Sequence, residues 1–174
     1  MHIIWHGQSC FQILASPQKG EQVSIIIDPF DETIGLKPPS LPADILLITH
    51  PHHDHNNKKA VRGEPFLIEG PGEYERKGVF VQGIASFHDS SANNTIYVIE
   101  AEELRICHLG DLSQRELTPE QLEKIDNVDI LMIPVGGGHT IDARVASKII
   151  SQIEPRIVIP MHYHIPKLKI KLDG

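Results

Sequence analysis

The sequence predicts an α/β protein with two facing β-sheets and helices on the outside. Short apolar runs rich in Ile, Val and Leu recur along the whole chain, separated by segments rich in Gly, Pro and polar residues, as strands are. Two helix signals lie among the later strands. The 174 residues contain no low-complexity stretch and no short repeat. We therefore expect one domain over residues 1–174.

The first half of the chain is predicted to be mostly sheet. Apolar runs predict strands at residues 3–5, 10–14, 23–28, 45–48, 65–68 and 79–87. Turns are expected at 6–9, 16–20 and 70–74, and residues 31–43 are expected to form a loop. Residues 56–61 have room for one or two helical turns.

The second half adds helices to further strands. Strands are predicted at 95–100, 104–108, 129–134 and 156–162. Thr118, Pro119 and Gln121 have the spacing of an N-cap, a first helical residue and a capping-box partner. Apolar residues recur at helical spacing over 140–153 and predict a second helix.

Composition excludes some classes of function. The chain has 16 basic and 23 acidic residues, a formal charge of −7, and therefore lacks the basic excess of a broad nucleic-acid surface. Cys10 and Cys107 lie in apolar strand-like runs, which favours buried reduced thiols over a disulfide or metal ligands. We expect a cytoplasmic protein, because no signal-peptide pattern and no membrane-spanning run is present.

One short stretch concentrates metal-binding chemistry. Directly after the apolar run at 45–48, His50, His52, Asp54 and His55 fall within six residues. If the extended geometry continues past the strand, His50, His52 and Asp54 share one side. Neutral imidazole and ionised carboxylate are ligands of divalent metals, so the stretch indicates a metal site rather than a merely polar loop.

Three more ligand-type residues each follow an apolar strand, namely His88, Asp111 and His162. Residues at strand ends can converge on one edge of the sheets, where loops carry function. The combined inventory suits two metal ions, each with three protein ligands and one open position. Open positions are typical of catalytic rather than structural metals.

The order of these residues resembles that of the metallo-β-lactamase superfamily of metal-dependent hydrolases, over nearly the whole chain. Residues 108–111, 136–142 and 159–163 resemble, more narrowly, its small ascorbate-phosphate-lactonase-like branch of predicted Zn-dependent hydrolases. The resemblance implies the four-layer αββα sandwich of the metallo-β-lactamase fold. It also implies one metal held by His50, His52 and His88, a second held by Asp54, His55 and His162, and a bridging Asp111.

The chain departs from that branch at its N-terminal turn. The branch often has His in a Gly-His-Ser turn, whereas this chain has Gln8 there and His6 two residues earlier, where His6 could substitute. The terminal helix of many members is not expected after residue 167. His52 in place of Glu argues against di-iron oxygen reductases, and no RNA-binding arm is recognisable.

The implied chemistry is hydrolysis. Two ions would share a water, lower its pKa and provide a bridging hydroxide, while Asp54 both ligates a metal and orients the nucleophile. His108 is a candidate catalytic residue, either as a donor behind the ligands or as a proton donor to the leaving group. His139 could contact substrate, and the backbone at 136–138 could hold an anion, although a loop role accounts for both.

The expected substrate is a small molecule with an ester, lactone or phosphodiester bond, with or without a phosphate group. A phosphodiesterase or nuclease-type hydrolase is one alternative, and a non-catalytic metal-binding protein that kept the fold is another. The N/O ligand set predicts zinc, with manganese, iron and nickel also compatible. Nucleic acid and membrane partners are not expected, and the oligomeric state is left open.

Overall fold

Two mixed β-sheets pack face to face and account for most of the chain. A computed structural model describes residues 1–18, 20–88 and 92–174, without the side chains of Gln18, His88, Ala92 and Asn93. The elements are β1 (His2–Gly7), β2 (Cys10–Gln18), β3 (Glu21–Ile27), β4 (Leu41–Pro42), β5 (Ile45–Leu47), β6 (Val61–Arg62), β7 (Phe66–Ile68), β8 (Gly72–Arg76), β9 (Val79–His88), β10 (Ala92–Ala101), β11 (Leu104–His108), α1 (Pro119–Ile125), β12 (Ile130–Pro134), α2 (Ala143–Ile153) and β13 (Ile157–Met161).

The sheet topology brings several strand ends to one edge. The first sheet has the order β1-β2-β3-β5-β7, and β3, β5 and β7 run parallel. The second has the order β13-β12-β11-β10-β9-β8, with β11, β12 and β13 parallel to one another. Since β9 and β11 are both antiparallel to β10, they run in the same direction. The C-terminal ends of β9, β11 and β13 therefore lie at the same edge.

Strand residues are buried on both faces of each sheet, which explains the continuous apolar runs in the sequence. Ile25 and Ile27 belong to the core between the sheets, whereas Ile26 faces the opposite side of the first sheet. In the second sheet, Tyr97 lies in the central core and Val98 faces the helices. This division follows the two-residue alternation of strand side chains.

The two outer layers differ. Helices α1 and α2 cover the second sheet, and the predicted capping box of Thr118 and Gln121 is present at the start of α1. Asp142 caps α2, which therefore begins at Ala143 and not at residue 140. The first sheet is covered by a 3₁₀ turn at Glu32–Ile34 and by residues 165–172, and in the described chain no α-helix lies on this side. The predicted αββα sandwich is confirmed, with one outer layer reduced.

One other local prediction needs correction. Residues 70–74 were expected to be a turn, but Gly72 begins the edge strand β8, which pairs with β9. A single helical turn of 3₁₀ type, Lys58–Ala60, follows the histidine-rich loop, within the predicted room for one or two turns. Cys10 and Cys107 are buried free thiols as predicted. Over the described ranges, no helix has the length and apolarity to span a bilayer.

Candidate metal centre

Six of the seven predicted ligand residues meet at one edge of the two sheets. Within the part of the chain that is described, they form two groups of three, and in each group one potential ligand atom per residue lies within 4.8 Å of the others. The inner group is Asp54, His55 and His162, and the outer group is His50, His52 and Asp111. The backbone of His88 ends β9, but its side chain lies outside the described residues.

Asp111 belongs to the outer group and also lies close to the inner group. Its Oδ2 is 3.8 Å from His50 Nε2 in the outer group, and its Oδ1 is 3.6 Å from His162 Nε2 in the inner group. His162 Nε2 is also 3.8 Å from Asp54 Oδ2. These separations are too long for hydrogen bonds. They bring the carboxylate of Asp111 near imidazole nitrogens of both groups.

The loop from 49 to 55 does not continue the strand. The expectation that His50, His52 and Asp54 share one side is wrong, because β5 ends at Leu47 and the chain then turns. The His55 amide donates to the His52 carbonyl at 2.9 Å, which closes the turn. As a result, Asp54 groups with His55 rather than with His50 and His52.

Asp28, at the end of β3, supports the buried side of the site. Its Oδ1 accepts from the Thr49 amide at 2.8 Å, and its Oδ2 accepts from Thr49 Oγ1 at 2.6 Å and from His55 Nδ1 at 2.8 Å. Burial raises the pKa of Asp28, but the nearby His55, His108 and His50 together lower it by more, so the net shift is downward. A carboxylate behind a histidine fixes the ring and increases its basicity as a ligand.

These hydrogen bonds determine the tautomers of two histidines. The Thr49 hydroxyl has one hydrogen, which it gives to Asp28, so it accepts from His50 Nδ1 at 3.0 Å. His55 Nδ1 likewise carries the hydrogen donated to Asp28. In its neutral form, each ring therefore directs an unprotonated Nε2 away from the support, as a metal ligand requires.

Gln8 holds the carboxylate of Asp54, and Asn94 holds the backbone of Asp111. Gln8 Nε2 donates to Asp54 Oδ2 at 3.0 Å, so Gln8 and not His6 makes this contact from the N-terminal turn. Asn94 Oδ1 accepts from the backbone amide of Asp111 at 3.0 Å. A Cβ at Gly110 would lie 2.2 Å from Asn94 Oδ1, so only glycine allows this approach.

His108 is fully buried, and both of its ring nitrogens are engaged by the backbone. The Gly110 amide donates to Nδ1 at 3.1 Å, so Nε2 carries the hydrogen that is donated to the Ser9 carbonyl at 3.0 Å. Burial lowers the pKa of His108 and favours this neutral form. In this arrangement neither nitrogen is available to a leaving group, and the ring instead ties the turn between β1 and β2 to the turn before Asp111.

The electrostatics of the inner group fit a bound cation. Burial lowers the pKa of His55, but Asp54 and Asp28 raise it by more, so the net shift is strongly upward. For Asp54, burial raises the pKa, while His55 and His162 bring it well below the usual range. The site thus attracts one positive charge, as a proton on His55 or as a metal ion in its place.

Unpaired ring nitrogens give a separate test of whether the residues fit a metal. His55 Nε2 and both ring nitrogens of His162 are buried and make no hydrogen bond to any described residue. Buried polar atoms are rarely left unpaired, because that costs about 1–3 kcal/mol each. A divalent ion would satisfy them, and the N/O donor set suits zinc, manganese, iron or nickel.

A cavity of about 340 Å³ opens onto both groups. It is lined by His52, His53, Asp54, Asp111, His139, His162, Ile170 and Leu172. His139 thus lies at the cavity, as the substrate-contact hypothesis requires. The glycines at 136–138 have a packing role: a Cβ at Gly136 would lie 2.2 Å from the His162 carbonyl. Asp142 already caps the adjacent helix, which makes an anion site there unfavourable.

A model of the β-lactamase superfamily domain matches residues 2–162. The chain belongs to the β-lactamase superfamily. It is 29% identical to a UPF0173 metal-dependent hydrolase of Thermoplasma acidophilum, over 94% of this chain and 84% of the relative. A UPF0173 protein of Pyrococcus abyssi is 31% identical, over 94% and 83% of the two chains.

A solved structure is similar over almost the whole fold. The crystal structure of a predicted Zn-dependent hydrolase of the metallo-β-lactamase superfamily from Thermotoga maritima superposes with a TM-score of 0.82 at 35% identity. The match covers 99% of this chain and 80% of the other. This β-lactamase superfamily member is therefore a metal-dependent hydrolase with the metallo-β-lactamase fold.

Four residues of the centre carry no role in the sequence prediction: Gln8, Asp28, Thr49 and Asn94. Asp28 had a detectable signal, because it follows a buried strand directly. Thr49 adjoins the histidine-rich stretch but has no distinguishing chemistry. Gln8 and Asn94 are common polar residues, and only their tertiary contacts reveal them.

Proposed function

We propose that this hydrolase cleaves an ester, lactone or phosphodiester bond of a small molecule with two divalent metal ions, zinc in the first instance. His50, His52 and Asp111 would hold one ion, with His88 as a further ligand, and Asp54, His55 and His162 would hold the other. Asp111 would bridge them. The observation that carries the proposal is the position of Asp111 between two ligand groups at the floor of one cavity.

The ions, when bound, would activate a water at neutral pH and polarise the bond to be cleaved. The protein's own contribution is to hold ligands in their reactive forms. Thr49 and Asp28 keep His50 and His55 in the tautomer that leaves Nε2 unprotonated. Gln8 fixes Asp54, whose lowered pKa keeps it an ionised hydrogen-bond acceptor that can orient the attacking water.

The proposal assigns His108 a positioning role. The His108 ring makes hydrogen bonds to the backbone of Ser9 and of Gly110, and these fix the turn that presents Asp111. Loss of this ring would therefore disturb the placement of Asp111 rather than remove a proton donor. His139, at the cavity, is positioned to contact the substrate.

Metal content and hydrolysis, measured together on Asp111→Ala, test the proposal. The wild-type protein loaded with zinc should contain two ions per chain and hydrolyse at least one member of an ester, lactone and phosphodiester panel. The variant should lose at least one ion, and its turnover should fall to the background rate. Glu123→Ala, an exposed carboxylate on α1, is the matched control and should behave as wild type. Full turnover in Asp111→Ala would refute the proposal.

A further inference from the structure

The cavity above the metal centre has two chemically different sides. Asp54, Asp111 and His162 form the polar side, where the ligand groups lie. Ile170 and Leu172 form the apolar side. Among the described residues that line it, none is Lys or Arg. A phosphate group placed away from the metals would thus meet no cationic side chain that could bind it.

Backbone hydrogen bonds fix the segment that supplies the apolar side. The Lys169 amide donates to the Ile34 carbonyl at 2.8 Å, and the Asp173 amide donates to the Gly136 carbonyl at 2.8 Å. The carbonyl of Asp173 also accepts from the His164 amide at 2.9 Å. The segment is thus tied to the 3₁₀ turn and to the loop after β12, on either side of Ile170 and Leu172.

Side-chain packing holds the same segment against the first sheet. Leu168 is buried in the outer cluster of that sheet, and Ile170 and Leu172 pack against the cluster while remaining partly accessible. At Gly138, a Cβ would lie 4.0 Å from Leu172 Cδ2, so the glycine loop also adjoins this side chain. Ile170 and Leu172 therefore form a fixed apolar wall.

We infer that the cavity selects esters or lactones whose acyl group carries a short hydrocarbon chain. The chain would pack on Ile170 and Leu172, while the carbonyl lies beside Asp54 and Asp111. In the hydrolysis, a water oxygen bonds to the acyl carbon, the bond from that carbon to the alcohol oxygen breaks, and a proton passes to the alcohol. A volume of about 340 Å³ is at the small end of ligand pockets, so the acyl group is limited to a few carbons beyond the carbonyl. This inference rests on the proposed function.

Binding of straight-chain carboxylates, from acetate to octanoate, tests the wall without requiring turnover. The acids are the products of such esters, and their affinity for the zinc-loaded protein can be measured by calorimetry. In the wild type, each added methylene should increase the affinity about threefold until the wall is covered. Leu172→Ala should move the best chain length upward, and Leu172→Trp should weaken hexanoate at least tenfold while leaving acetate unchanged.

Leu67→Ala is the matched control, because Leu67 is 39% exposed on β7 and does not line the cavity. It should reproduce the wild-type series. An affinity that does not change with chain length in the wild type would overturn the inference. So would a Leu172→Trp variant whose affinities from acetate to octanoate match those of the wild type.

Hydrolysis of p-nitrophenyl acetate, butyrate and hexanoate separates the two proposals. Equal kcat/KM for all three, together with flat carboxylate binding, would overturn the inference and leave the proposed function standing. Binding that depends on chain length, with no hydrolysis of any ester, lactone or phosphodiester, would overturn the proposed function and the substrate class with it. A rise in kcat/KM from acetate to hexanoate would support both.

Discussion

The inner and outer ligand groups are built from the same residue types but differ in their support. All three inner residues are buried, whereas the outer group includes the exposed His52. A carboxylate, Asp28, bonds directly to the inner His55, whereas the outer His50 is linked to the same carboxylate through the Thr49 hydroxyl. Charge and burial are therefore concentrated on the inner side. Two ligand sets of the same residue types can therefore differ in preorganisation.

The difference extends to the proton balance. In the absence of metal, Asp54 and Asp28 favour a proton on His55, so a metal that binds the inner group must release it. Two carboxylates close to one imidazole provide a strong field for a divalent ion. We therefore expect the inner group to bind its ion more tightly and the outer group to exchange its ion more readily.

The largest effect should come from removing one imidazole from each group. In His55→Ala, we expect the affinity for the tighter ion to fall by more than about a hundredfold, because a ligand should matter more than a residue behind it. In His52→Ala, the weaker ion should be lost and the tighter one retained. Competition titration against a zinc indicator, with elemental analysis, measures both affinities.

His53→Ala is the control, since His53 is a cavity residue outside both groups. Two equal affinities in the wild type would contradict the asymmetry. So would loss of the tighter ion in His52→Ala with its retention in His55→Ala.

The next effect compares the residues behind the histidines. Asp28→Asn should weaken the inner ion by about 10–100-fold, because the amide no longer supplies the charge that supports His55. Thr49→Val removes one hydroxyl and leaves Asp28 two of its three donors. We therefore expect the affinity for the inner ion to change by less than about tenfold. The same competition titration gives both values. An equal loss in the two variants would show that the carboxylate is not the source of the asymmetry.

A smaller effect is expected at the N-terminal turn. Gln8→Leu removes the amide that donates to Asp54, and it should weaken the inner ion by about tenfold, the usual range for a hydrogen bond to a charged group. The outer ion should be unaffected. His6→Ala provides the contrast, because Gln8 and not His6 reaches Asp54, and it should leave both affinities at the wild-type value. A larger loss in His6→Ala than in Gln8→Leu would reverse this assignment.

Patterns within single elements allowed much of the fold to be predicted. Ile25–Ile27 are apolar on both faces because the first sheet is covered on both sides, and this produces a visible run. The Thr118 capping box is likewise local. The edge strand β8 was missed because its sequence, GEYER, is polar and begins with glycine. Its pairing with β9, and not its composition, makes it a strand.

The same distinction applies to the metal centre. The convergence of Asp111 and His162 on the loop at 49–55 could be anticipated, because each follows an apolar strand. Their roles as ligands stay predictions, as does that of His88. The support from Gln8 and Asn94 could not be anticipated, because it depends on contacts between distant parts of the sequence. Gln8 and Asp54 are 46 positions apart, and Asn94 and Asp111 are 17 positions apart. Local pattern carries no information about such pairs.

The smallest predicted effect concerns pH and the buried His108. Burial lowers its pKa in the folded protein, while the unfolded chain titrates near the ordinary value of about 6.5. Between these two values the unfolded state binds more protons. The stabilising contribution of the neutral ring is therefore complete above pH of about 6.5 and declines as the pH falls below it, by at most about 1.4 kcal/mol per pH unit.

His108→Gln has no titrating ring here, so its deficit in unfolding free energy relative to wild type should shrink between pH 7.5 and pH 5.5, values chosen to bracket about 6.5. Urea unfolding of the metal-free proteins at both pH values measures this difference without competition from metal binding. His164→Gln, at an exposed histidine, should follow wild type at both, and an unchanged deficit in His108→Gln would show that the buried ring contributes nothing to acid sensitivity.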